Sequence, residues 1–160
     1  MDLLDIFPLK TFSGLALLSF VGFPKNEAST RVLFNYLNKT GISSSFLVEG
    51  ATRDGNRSIT LAITLDALES CQAELEAVRE VMEAEEVSME KPVAVIRILG
   101  PHFDLRPGIA GLLFGKLAKS GIELLANSTT ITSSLLVVRE EQVDQAVRAI
   151  GSIFRLPQKK

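Results

Sequence analysis

The chain reads as an α+β protein made of two copies of one β-α-β-β-α-β unit. Each copy is an antiparallel sheet with both helices on one face. Three observations predict this. First, residues 31–42 lie on residues 111–122 with six of twelve positions identical: Leu33, Phe34, Leu37, Lys39, Gly41 and Ile42 recur as Leu113, Phe114, Leu117, Lys119, Gly121 and Ile122. A repeat at this spacing means two copies of one supersecondary unit. Second, each repeated helix follows a β-branched strand closed by glycine and precedes two more strands and a second amphipathic helix. Third, Asp54-Gly55 joins two strand-like segments, a strong short-range hairpin signal. Right-handed crossovers then bring both helices of a copy to the same side of its sheet, the ferredoxin-like arrangement.

Taken in order, residues 3–8 are a short apolar segment closed by Pro8, which suits an edge strand. Ser13-Gly14 reads as a turn, and residues 15–22 as a buried strand that mirrors residues 93–100. The first repeated helix follows and stops at Gly41. Residues 43–52 and 57–65 form the hairpin; Ile59, Leu61, Ile63 and Leu65 alternate with small or polar residues, so one face meets a helix layer. Asp66 is placed to cap a helix running to about Met82, with Leu68, Cys71, Leu75, Val78 and Met82 as its apolar stripe. Residues 83–86 form a solvated exit, 87–89 a short last strand, and 90–92 a linker.

The second copy opens on the strand 93–100 and the loop 101–106. Pro107-Gly108 starts a helix with Ile109, Leu112, Leu113 and Leu117 at helical spacing, ended by Gly121. Strands at 122–129 and 131–138 precede a helix from Glu140 to about Phe154. Residues 155–160, with Pro157 and two lysines, make a poor strand.

Composition narrows the function. Hydrophobic residues make up 46% of 160, enough for a core and against disorder. A formal net charge of −2 and no concentrated basic face argue against a nucleic-acid partner. The apolar run 12–23 is too short to span a bilayer, and the acidic start of the chain is unlike a signal peptide. A single cysteine, Cys71, fits a reducing compartment and reads as a small apolar filler. A soluble cytoplasmic protein without membrane or nucleic-acid partners is expected.

Catalysis finds little support. One histidine, His102, and one cysteine give no zinc spacing and no argued Cys–His pair. The acids sit mainly on helix faces, and no glycine-rich phosphate cradle is present. RNA binding on this fold needs aromatic residues on the inner strands. Residues 57–65 and 131–138 have none, and Tyr36 is on a helix.

A small polar ligand held at a loop–helix junction remains. An α-amino acid needs donors for its carboxylate and acceptors for its ammonium. The helix start at Pro107-Gly108 offers free backbone N–H groups and the positive end of the helix dipole. Gly108 has no side chain to block approach, and Asp104 or the carbonyls of residues 125–128 could accept from an ammonium. The plain alternative is that Pro107-Gly108 only starts a helix and Asp104 faces water. The residues alone leave both open.

Val93-Ala94-Val95-Ile96, Gly100, Arg106-Pro107-Gly108-Ile109-Ala110, Phe114, Leu117, Gly121-Ile122, Ser128-Thr129 and Arg139-Glu140 resemble the second ACT module in the regulatory region of aspartate kinases. The pattern runs along residues 100–156 without a gap, and the first half of the chain resembles the first module more weakly. The resemblance implies two ACT modules, at residues 12–91 and 92–160. A strand from residues 1–11 would complete the second, with residues 3–7 pairing against 93–99. It implies no enzyme, since that family's catalytic domain is missing, and no cofactor or metal. It implies an amino-acid effector bound between a helix-start loop and the strand of a neighbouring module, with modules paired in a homodimer. An amino-acid biosynthetic enzyme is the implied partner.

The site residues carried over on this basis are Asp104, Arg106, Pro107, Gly108, Ile109, Asn127, Ser128, Thr129 and Glu49. The chain also departs from the family. Residues 23–28 replace the first module's Asp-x-Pro-Gly-like loop, Ser45 stands for an Asp, Glu49 for a Gln, and Ile131 for an acid. At least one usual effector pocket is therefore expected to be altered, and lysine or threonine is not assumed. The competing expectation is a structural interaction module, or a stand-alone or shortened kinase regulatory part, without a ligand of its own.

Overall fold

The computed structural model describes residues 4–6, 9–100 and 107–155. Its elements are β1 (Leu4–Asp5), β2 (Lys10–Phe23), α1 (Glu27–Thr40), β3 (Phe46–Ala51), β4 (Arg57–Thr64), α2 (Leu65–Cys71), α3 (Leu75–Met82), β5 (Glu86–Leu99), α4 (Ile109–Lys119), β6 (Ala126–Thr129), β7 (Ser133–Arg139), α5 (Val143–Gly151) and β8 (Phe154–Arg155). They fall into two compact units. One is continuous, Gly14–Pro92; the other is divided, Met1–Ser13 with Val93–Lys160.

In the continuous unit the strand order is β3-β4-β2-β5, and β2, β3 and β4 pair antiparallel. Alternation decides which face is covered. Leu18 and Phe20 of β2 and Ile59, Leu61 and Ile63 of β4 pack against Leu33 of α1 and Leu68, Cys71, Leu75, Val78 and Met82 of α2 and α3. Each such side chain contributes roughly 1.5–3 kcal/mol by leaving water. Helix α1 starts because the Asn26 side chain accepts from the Ser29 N–H, and it stops at Gly41, whose φ of 70° is left-handed. Gly22 is required differently. Its φ is 77°, and an added Cβ would lie 2.5 Å from the Glu85 side chain, where the chain turns to lay Glu85 N–H on Val21 C=O at 2.9 Å.

The expected single helix over 66–82 is interrupted by a 3-10 turn at Gln72–Glu74. Its cap is Thr64, whose Oγ1 accepts from the Ala67 N–H at 3.2 Å, and not Asp66. Residues 90–92, expected as a linker, lie inside β5, with a cis Lys91–Pro92 bond. Strand 87–89 and strand 93–100 are thus one element, whose first part belongs to one unit and second part to the other.

In the divided unit the order is β2-β5-β7-β6, only residues 10–13 of β2 taking part. Ile96 and Ile98 of β5 and Leu136 and Val138 of β7 pack against Ile109, Leu113 and Leu117 of α4 and Ala146 and Ile150 of α5. The last helix is shorter than expected, because Glu140–Gln142 form a 3-10 turn and α5 ends at Gly151.

The N-terminal expectation needs correcting. The described part of residues 3–7 does not pair with 93–99. Leu4 and Asp5 pair in parallel with Phe154 and Arg155, and the Ile6 N–H donates to Arg155 C=O at 3.2 Å. The segment beside β5 is the start of β2, where the Arg97 guanidinium lies 5.7 Å from the Phe12 ring centre. A chain segment before the first repeat does join the second, but through residues 10–13, while β1 closes onto the C-terminal end. Leu3, Phe7, Pro8, the loop 101–106 and residues 156–160 lie outside the described residues. Among the described residues no helix is long and apolar enough to cross a membrane.

Burial also marks Tyr36 and Cys71, which lie between α1 and the α2–α3 pair. Burial pushes the Cys71 thiol up and the Tyr36 hydroxyl up to about 12, with Glu74 adding to both. The Tyr36 Oη is buried, with the Glu74 carboxylate near it but outside hydrogen-bond geometry. An unfolded tyrosine ionises near 10, so between pH 10 and 12 the native state holds the extra proton and stability falls as pH rises. Tyr36→Phe removes both the orphan hydroxyl and this titration. It is expected to raise stability at pH 7 by about 1 kcal/mol and to flatten the alkaline limb of a melting curve series. A variant no more stable than the parent and with the same alkaline slope would contradict this reading.

Candidate functional site

In the continuous unit the helix start lies beside the edge strand β3. In the continuous unit the chain leaves β2 at Phe23 and enters α1 through Pro24, Lys25 and Asn26. Asn26 is extended, with φ −140° and ψ 155°, and its Oδ1 accepts from Ser29 N–H at 2.9 Å and Ser29 Oγ at 3.1 Å. That geometry turns Lys25, Glu27, Thr30, Arg31 and Phe34 along one side. Opposite them stand Glu49 of the edge strand β3 and Arg57 at the start of β4. Together with Asn26 these residues line an open groove of about 640 Å³.

The floor of the groove is electrically matched. Arg57 Nε donates to Glu49 Oε1 at 2.6 Å, and Thr30 Oγ1 reaches the same oxygen at 3.4 Å. Register explains the pair: Ala51 faces Arg57 in the β3–β4 ladder, so Glu49 lies diagonally across, within reach of a long side chain. Both side chains are about one quarter to one third exposed, at 23% and 31%. The rim is different. Lys25, Glu27 and Arg31 are exposed, and among the described residues none of them has an ion-pair partner.

In the divided unit the helix start is Gly108, with φ 91° and no side-chain cap. A Cβ there would find open space, yet the left-handed backbone itself reserves the position for glycine. Pro107 and Gly108 are exposed. Ile109 is 3% exposed and points its side chain into the core, so only its backbone is available at the surface. Strand β6 carries Asn127 and Thr129 exposed and Ser128 half-buried. Thr129 Oγ1 shares a 2.8 Å hydrogen bond with Ser134 Oγ, which is fully buried. Asp104, Arg106 and His102 lie outside the described residues.

The sequence-expected residues therefore divide. Pro107, Gly108, Ile109, Asn127, Ser128 and Thr129 belong to the divided unit, and Glu49 to the continuous one. One oxygen of Glu49 is taken by Arg57 and Thr30. Thr30, Arg31, Phe34 and Arg57 are not among the expected site residues, and Lys25 figures there only within the altered loop 23–28. A signal was present: Arg31 and Phe34 stand within the twelve-residue repeat, and the Asp54-Gly55 hairpin sets Arg57 diagonal to Glu49. The same repeat shows that the two helix starts differ chemically, because Arg31 matches Gly111 and Glu49 matches Thr129. Among the described residues no group of three or more His, Cys, Asp or Glu gathers to hold a metal ion.

Comparison with known proteins gives this geometry its setting. Residues 88–152 match the ACT domain family. The chain is 28% identical over 135 residues to an aspartokinase of Bacillus sp. strain MGA3, covering 84% of this chain and 33% of that one. An aspartokinase of Geobacillus stearothermophilus is 27% identical over 139 residues, again across 33% of its length. The chain thus spans about one third of the curated relatives it matches. Among solved structures, the regulatory subunit of aspartate kinase from Thermus flavus superposes with a TM-score of 0.80 at 17% identity, over 93% of this chain and 98% of that one. Aspartate kinase from Synechocystis gives 0.82 at 18% identity, over all of this chain and 29% of its own. At such identities these structures speak to fold. Residues 88–152 thus match the ACT domain family, and most of the chain is similar in sequence to a third of aspartokinases and in fold to the regulatory subunit of aspartate kinase.

Proposed function

We propose that this chain is a non-catalytic regulatory protein of two ACT modules, residues 12–91 and 92–160 with residues from 1–11 completing the second, that binds an amino-acid effector. The observation that carries the reading is the groove at the start of α1. It offers cationic and anionic side chains about one cavity, beside a capped helix start, which is what a zwitterion needs. Pro107, Gly108, Asn127, Ser128 and Thr129 form the corresponding junction of the second module. Similarity to kinases of which the chain spans one third supports a regulatory rather than a catalytic part. Acting as a cytoplasmic homodimer on an amino-acid biosynthetic enzyme completes the proposal.

A thermal-shift series with the common amino acids tests it. A ligand at one hundred times its Kd stabilises the native state by about 2.7 kcal/mol, or roughly 5–10 °C in a chain of this size. At least one amino acid is expected to give such a shift, and a flat response to all of them would sink the reading.

A second reading has one observation in its favour. Edge strand β3 leaves Leu47 and Val48 each 36% exposed, and an exposed apolar edge invites another strand. A structural interaction module would show concentration-dependent association in light scattering with no response to any amino acid.

A further inference from the structure

We propose that the groove at the start of α1 selects an acidic amino acid, one with a second carboxylate on its side chain, and rejects basic ones. This rests on the effector reading above and narrows it to a ligand class. The charges at the groove set the ligand class. Lys25, Arg31 and Arg57 are cationic, and Glu27 and Glu49 anionic. Arg57 and Glu49 cancel one another at 2.6 Å. Two cations, Lys25 and Arg31, and one acid, Glu27, are left on the rim without an ion-pair partner among the described residues.

A ligand that complements this set has two carboxylates and one ammonium. Its carboxylates answer Lys25 and Arg31, charge-assisted contacts being the stronger kind, and its ammonium answers Glu27. The half-exposed Phe34 ring, 41% accessible, supplies an apolar wall for the intervening methylenes. A neutral amino acid leaves one rim cation unanswered. A basic amino acid brings two ammonium groups to a rim with two cations and one acid, so one like-charge encounter is unavoidable. Selection here comes from repulsion as much as from attraction. The corresponding stretch of the second module has Gly111 and Thr129 at the places of Arg31 and Glu49 and shares none of this charge logic.

The test is calorimetric titration of the full chain with L-aspartate, L-glutamate, L-leucine and L-lysine, at two ionic strengths, for the parent and for Lys25→Gln, Arg31→Gln and Glu27→Gln. All three positions are exposed, and circular dichroism melts verify that the variants fold as the parent does. Aspartate or glutamate is expected to bind, more weakly at high salt, with lysine undetected. Each substitution should weaken the acidic ligand about tenfold or more. If leucine or lysine binds as tightly as the acidic pair, or if acidic binding is untouched by Lys25→Gln and Arg31→Gln, the charge selection is wrong while the effector reading stands. If no amino acid binds at all, both fall.

Discussion

Replacing Phe154 by alanine is expected to destabilise the divided unit by about 3–5 kcal/mol, the range for truncating a buried phenylalanine. The residue looks peripheral in the sequence, six positions from the chain end. Its side chain is nevertheless 2% exposed and packs in one cluster with Ile6, Ala146, Ala149 and Ile150. It is also half of a two-residue ladder: Leu4 pairs with Phe154 and Asp5 with Arg155. Removing the ring opens a cavity bounded by small alanines and by one short strand, so collapse can recover little of the lost contact. Denaturant unfolding followed by amide exchange in α4, α5 and β7 measures this directly. A loss below about 1 kcal/mol would mean that the cluster closes without Phe154. Phe34→Ala serves as the contrast. Its ring is 41% exposed on the groove, and its loss should leave stability almost unchanged.

The core of each unit was legible because it rests on periodicity. Leu33, Leu113 and Leu117 hold helical spacing in both repeats, and Ile59, Leu61 and Ile63 alternate as a half-covered strand must. All of them are buried where that spacing puts them. Pairing that depends on distant partners was not legible. Residues 87–99 read as two strands and a linker because proline is disfavoured inside sheets. Pro92 is tolerated where β5 passes from one unit to the other. Strand β8 has only two residues, too few to show any period, and forms because β1 lies beside it.

The candidate site was legible to a similar degree. Glycine, proline and the helix dipole single out the loop–helix junction of the second repeat, at Pro107-Gly108, whereas the groove lies at the matching junction of the first. Glu49 is singled out as well, carried over by resemblance as a site residue in place of a Gln, with no ion pair foreseen. Its partner Arg57 sits eight residues away on the next strand and becomes a neighbour only through the hairpin register. Charge at the groove is a property of three elements together, α1, β3 and β4. No single segment displays it.

Deleting residues 1–10 is expected to destabilise the divided unit by about 3 kcal/mol while affecting the continuous unit much less. The deletion removes Ile6, 6% exposed within the α4–α5 core, whose burial is worth roughly 2 kcal/mol. It also removes the hydrogen bond from Ile6 N–H to Arg155 C=O and the ladder that holds β8, each such bond contributing about 1 kcal/mol net. The Asp5–Arg155 ion pair adds little, since both side chains are well exposed at 76% and 61%. In the continuous unit, by contrast, Leu33, Ile59, Leu61 and Met82 draw on no described residue before Gly14 for their core. Amide exchange separates the two outcomes. Protection in α4, α5 and β7 should fall about a hundredfold, which corresponds to roughly 2.7 kcal/mol, with α1 and β4 nearly unaltered. Equal loss in both sets would show that the first residues stabilise the chain as a whole. No loss in either would show that the parallel β1–β8 pair does not close the divided unit.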